Sequence, residues 1–278
     1  MPTDMEHPAE KEKKGVLTLA ESWQLRGVAM LMILFAHSIN EYPTAMTSEV
    51  ARLLLVPHWG IVGSGIFLLL SGYGMLCSLQ GRGGTFAWSY WGRKAKQLLL
   101  PYAVAFVVTA LALDIYDAKY GSPYTVDLSN LLTLSLSDGN ELWFFKTIAV
   151  EYALLLVLNR LRMRAMWQVG TMALVHFAAI GAMVSAGLPR YWWASDIGFV
   201  VGMALAMWQT QRRRGQPWVP TSRVLTYIGK NSLCFYLLEI PVMWMLPSDR
   251  INLPMFFGLT VVLTALLTEL YRRSFGKI

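Results

Sequence analysis

Eight apolar runs of about 20 residues dominate this chain and leave few folds open to it. They cover roughly Ser22–Ile39, Gly60–Leu79, Leu98–Tyr116, Leu142–Leu158, Ala165–Ala186, Tyr191–Gln209, Val224–Leu246 and Leu253–Tyr271. A helix needs about 20 apolar residues to cross the hydrocarbon core of a bilayer, and runs of that length read as spanning helices. A soluble domain of 278 residues would carry far more than 15% charged residues and far less than 55% hydrophobic ones. The expectation is an all-α polytopic membrane bundle of about eight transmembrane helices, occupying residues 21–278 as one domain. Residues 1–20 differ in character. Met1–Lys14 is polar, and it is too long and polar for the n-region of a signal peptide, with no small-residue cleavage site after it. Residues 1–20 read as a disordered cytosolic tail.

The basic residues test the span count. With the N-terminus in the cytosol and alternating spans, nineteen of the 24 Lys and Arg fall on the cytosolic side; Arg52, Lys119, Lys146, Arg190 and Arg250 do not. That is the positive-inside pattern, and it puts both termini in the cytosol. It also accounts for the net charge of +7 without nucleic acid. Trp143, Trp192 and Trp193 mark the opposite interface. Ala51–Val56 and Leu128–Leu136 are apolar but too short to span, and read as interfacial or re-entrant pieces. Cys77 and Cys234 lie in apolar runs near the cytosolic side and read as free thiols.

Ionisable groups within spans are costly and point by default to a functional site. Arg26 and His37 share the first run. Eleven helical residues advance the chain roughly 16 Å through almost three turns, so both side chains lie on one face at different depths. Taken singly, Arg26 also fits a snorkelling residue and His37 a packing one. The second run is rich in Gly63, Gly65 and other small residues that allow close helix approach, and it adds the hydroxyls of Ser71 and Tyr73. Arg93, Lys94 and Lys96 precede the third run, where they serve equally as topology signals, anionic-lipid contacts or holders of a phosphorylated cofactor. Glu151, His176 and Glu239 lie inside later runs, and Pro241 predicts a kink. Zinc-type Cys/His spacing, a nucleophile elbow, a P-loop and a dinucleotide fingerprint are all missing, so no metal is expected.

Several segments in order resemble the acyltransferase-3 family of membrane acyltransferases. Arg26 and His37, with ten residues between them, match its Arg-x10-His signature. Gly65-Ile66-Phe67 through Ser71-Gly72-Tyr73 is similar to its second helix, and Arg93–Lys96 with Pro101-Tyr102 to the basic start of its third. Leu142–Lys146 and the stretch from Ile228-Gly229-Lys230-Asn231-Ser232 to Tyr236…Glu239-Ile240-Pro241 resemble its later motifs. The chain departs from the family in having Lys96 where Arg is usual, Glu239 where His is common, and about eight helices where the family usually has ten.

The resemblance implies a multi-pass protein of the inner membrane. It would transfer an acyl group, most often acetyl from acetyl-CoA, to a hydroxyl of a cell-surface or lipid-linked carbohydrate such as lipopolysaccharide, beside other polysaccharide-assembly proteins. Some relatives complete transfer in an extra hydrolase-like domain; here the step is expected in the membrane domain or a partner. His37 suits a general base or transient acyl carrier, because an imidazole titrates near pH ~6.5. Glu239, or else Glu151, would orient its ring. Arg26, Arg93, Lys94 and Lys96 would hold the donor's phosphates, and Ser71 and Tyr73 would donate to the oxyanion. A secondary transporter or flippase for a glycan precursor would also place ionisable groups at mid-membrane.

Overall fold

The structure is a computed structural model, described over residues 17–41, 58–81, 88–120, 125–137, 142–190, 193–209, 222–247 and 250–275. Of the tail expected over residues 1–20, residues 1–16 lie outside these residues, as does the apolar piece Ala51–Val56, whereas Leu19 and Ala20 already belong to the first helix. Within them the chain is helical, with no β-strand. The helices are α1 (Leu19–Glu41), α2 (Trp59–Gly81), α3 (Trp88–Tyr120), α4 (Leu128–Leu132), α5 (Trp143–Arg160), α6 (Ala165–Ser185), α7 (Ile197–Gln209), α8 (Arg223–Lys230), α9 (Ser232–Met245) and α10 (Leu253–Phe275).

Five of these, α1, α2, α3, α6 and α10, are long and apolar enough to cross a membrane. Each of the eight apolar runs contains a helix, but three depart from a simple span. α5 carries Lys146, Glu151 and Arg160 in 18 residues. α7 has only 13 residues, about 20 Å of helix. The run Val224–Leu246 is interrupted at Asn231, where α8 stops and α9 starts. There the Asn231 side chain donates to the carbonyl of Tyr227 at 2.9 Å and its backbone N–H turns back to Tyr227 and Ile228. An amide that captures its own helix's carbonyls ends the helix.

Local chemistry sets the other boundaries. Thr18 caps α1: its N–H and hydroxyl both donate to Glu21 Oε2, at 2.8 and 3.0 Å, while Glu21 N–H returns a bond to Thr18 Oγ1. α3 begins ten residues before its apolar run, so Arg93, Lys94 and Lys96 ride on helix rather than loop. Asp127 and Asn130 form a capping box on α4, and hydrogen bonds from Ser129 and Asn130 hold the Asp127 carboxyl below the usual carboxylate range. Beyond α4 the chain turns inward to bury Leu136 completely, and the Tyr102 hydroxyl donates to the carbonyls of Asn130 and Ser135 at 3.0 and 2.9 Å.

The bundle is close-packed through glycine. α2 lies most extensively against α7. A Cβ on Gly72 would strike the Phe199 carbonyl, and one on Gly202 the Leu69 carbonyl. α1 is held on one side by α2, where Gly63 meets Ala29 and Ile33, and on another by α8, where Gly27 and Gly229 face the backbones of Leu225 and Trp23. It also contacts α9 and α10. The outer helices are inverted relative to a soluble protein. α6 buries Gln168, Met172 and His176 and exposes Trp167, Leu174 and Phe177; α10 buries Thr260, Thr264 and Thr268 and exposes Val262, Leu266 and Leu270. Polar groups inside and apolar groups outside make a multi-pass membrane protein.

Candidate active site

A cavity of about 520 Å³ lies where the starts of α3 and α9 meet the end of α10. α1 contributes Arg26 to it, α3 contributes Arg93, Lys94 and Lys96, and the junction of α8 with α9 contributes Lys230 and Asn231. Arg272 comes from α10. No carboxylate is among its described lining residues. Deeper in, the wall turns aromatic: Phe67, Phe144 and Tyr236 line it together, with Phe144 edge-on to Tyr236 at 5.3 Å between ring centroids. Ser71 and Tyr152 complete this inner part, and the Tyr152 hydroxyl sits in the field of Arg26. Among the described residues, buried Arg26 Nε meets no hydrogen-bond acceptor. A buried guanidinium N–H is suited to hold an acceptor atom of a ligand. The arrangement suits a ligand with several negative charges at one end and an apolar end.

The second centre lies further along α1. His37 Nδ1 donates to Glu239 Oε1 at 2.7 Å. Glu239 is fully buried on α9, while the His37 side chain keeps 30% of its surface. A proton fixed on Nδ1 leaves Nε2 as the basic nitrogen. Glu239 thereby fixes the tautomer as the carboxylate of a catalytic triad does. Glu41, one turn further on α1, accepts from Trp244 Nε1 at 3.1 Å and lies within electrostatic reach of both His37 and Glu239. Tyr236 lines the cavity and feels the Glu239 charge, so α9 connects the two centres.

Of the expected site residues, the structure gathers Arg26, Arg93, Lys94, Lys96 and Ser71 around the cavity, and joins His37 to Glu239. Two fall elsewhere. Glu151 does not reach His37; it bonds His176 Nε2 at 3.0 Å across α5 and α6, while His176 Nδ1 donates to the Met172 carbonyl. Tyr73 does not line the cavity. Its hydroxyl accepts from Leu17 N–H at 3.1 Å and so ties the start of α1 to α2. Lys230, Arg272, Tyr152 and Tyr236 are the additions. Lys230 and Tyr236 stand in a motif visible in the sequence; Arg272 and Tyr152 carry no local signal. Among the described residues, no cluster of three or more His, Cys, Asp or Glu is placed to hold a metal ion.

A family model of acyltransferase-3 type, described as an acyltransferase domain, matches residues 24–218. The chain belongs to the acyltransferase-3 family. It is therefore a membrane acyltransferase, and family membership favours group transfer over transport. The match spans Arg26, His37, Ser71 and the basic start of α3, and it ends before α8, so Glu239, Lys230 and Arg272 lie outside it. Comparison with curated proteins and with solved structures gave no match.

Proposed function

We propose that this acyltransferase takes its acyl group, acetyl in the simplest case, from acyl-CoA at the basic cavity. It passes the group to a hydroxyl of a cell-surface or lipid-linked carbohydrate. The observation that carries the reading is the layout of α1: one helix holds a cation with a buried N–H inside the cavity and, eleven residues on, an imidazole clamped by a buried carboxylate. The cations of α1, α3, α8 and α10 would hold the nucleotide phosphates, and the aromatic inner wall would accept the pantetheine arm.

In the transfer, His37 Nε2 removes the proton of the acceptor hydroxyl, and Glu239 steadies the imidazolium that forms. The hydroxyl oxygen attacks the thioester carbonyl, the C–S bond breaks, and the thiolate takes up a proton to leave as a thiol. The basic face corresponds to the cytosol, where acyl-CoA is made, and the membrane is the cytoplasmic one.

The test uses reconstituted full-length protein, radiolabelled acetyl-CoA and envelope glycan. Wild-type protein should label the glycan, and His37→Ala, at equal folded abundance, should not. Labelling by the His37→Ala protein at the wild-type rate would refute the assignment of the base.

A further inference from the structure

The basic cavity has an acid at its rim. Glu269 accepts from both ends of one guanidinium: Arg272 Nε donates to Oε2 at 2.8 Å and Nη2 to Oε1 at 2.7 Å. Arg273 Nε adds a bond to Oε1 at 3.0 Å, and the Tyr227 hydroxyl approaches Oε2 at 3.5 Å. Four donors thus converge on one carboxylate. A guanidinium gripping two carboxylate oxygens uses the same fork with which it grips phosphate. Arg272 also lines the cavity, beside Lys230 and the α3 cations, whereas Arg273 does not. The Arg272 side chain is more than half exposed, so water and salt screen its pair with Glu269. A multiply charged ligand arriving in the cavity competes with Glu269 on favourable terms.

We propose that Arg272 is a phosphate-binding residue of the donor cavity and that Glu269 is its built-in competitor. Glu269 holds the guanidinium until a phosphate of the donor displaces it, and takes it back as the spent donor leaves. The ligand class is a nucleotide with several phosphates, and the proposal rests on the acyl-CoA reading above. Under it, Glu269 sets how tightly the donor is held and how readily CoA departs. Arg273, one residue on, acts only on Glu269.

Equilibrium binding of CoA to the purified full-length protein in detergent tests this. Glu269→Gln should bind CoA about threefold more tightly, the scale of one exposed ion pair that no longer has to open. Arg272→Ala should bind about tenfold more weakly, and Arg273→Ala within twofold of wild type. Combined with Arg272→Ala, Glu269→Gln should have no further effect. Equal weakening by Arg272→Ala and Arg273→Ala would reduce the role to a general field and overturn the proposal. So would tightening by Glu269→Gln that persists without Arg272, or no tightening at all. Lys96→Ala separates this from the donor reading. If it weakens CoA binding while the α10 variants do nothing, only the present proposal fails. If wild-type protein binds no CoA, the donor reading falls and takes the proposal with it.

Discussion

Two histidines meet buried carboxylates in this bundle, and their surroundings differ. His37 keeps part of its side chain open, with Glu239 on Nδ1 and, among the described residues, no partner on Nε2. His176 is enclosed, with both ring nitrogens engaged by Met172 and Glu151. The first can take a proton from a ligand; the second joins helices. Glu239→Gln should therefore lower acyl transfer by roughly 10²-fold or more, toward the loss expected for a missing general base. Glu151→Gln, which can still bond His176, should stay within a few-fold of wild type. Initial rates with saturating donor, at matched folded protein, decide between them. The sequence displayed all four residues, and the family resemblance put Glu239 ahead of Glu151 beside His37, but nothing in it joined Glu151 to His176. His37 and Glu239 are 202 positions apart, and hydropathy ranks Glu151 and Glu239 alike, so the packing of α9 on α1 decides between them.

At the scale of helices, the number and rough placement of apolar segments were legible because hydrophobic runs of that length have one common solution. Their interruptions were not. The stop at Asn231 depends on a side-chain bond to Tyr227, and the early start of α3 depends on a helical segment too polar to register as apolar. Both matter to the site, since α3 delivers three cations to the cavity and the α8–α9 junction delivers Lys230. The glycines of α2 announced close approach, and the structure shows which ones are needed. Gly72→Ala would push against the Phe199 carbonyl, whereas Gly74 has open space around it. Gly72→Ala should cost about 1–3 kcal/mol, and Gly74→Ala should be neutral or stabilising by up to ~1 kcal/mol. Thermal unfolding of each variant in one detergent would show the contrast. The match of the family model to residues 24–218 covers the first of these helices but not the α8–α9 junction.

For the whole molecule, the charge pattern predicts that Arg93 and Glu41 face opposite sides of the membrane. Single cysteines in place of each, in a background with Cys77 and Cys234 replaced, should react with an impermeant thiol reagent from opposite sides of sealed vesicles. Labelling of both from one side would break the assigned orientation. Polar-in, apolar-out packing of α6 and α10 fits that membrane setting. α1 has a further consequence. It is one uninterrupted helix wedged among α2, α8, α9 and α10, so the levels of Arg26 and His37 are set roughly 16 Å apart by helical rise. The helix is a ruler. Under the proposed acyl-CoA reading, a donor anchored by its phosphates at one mark would bring its reactive carbon to the other by the length of its own arm. Thioesters with a shortened arm should still occupy the cavity and compete with CoA, yet fail to transfer, which makes arm length as much a criterion of substrate choice as charge.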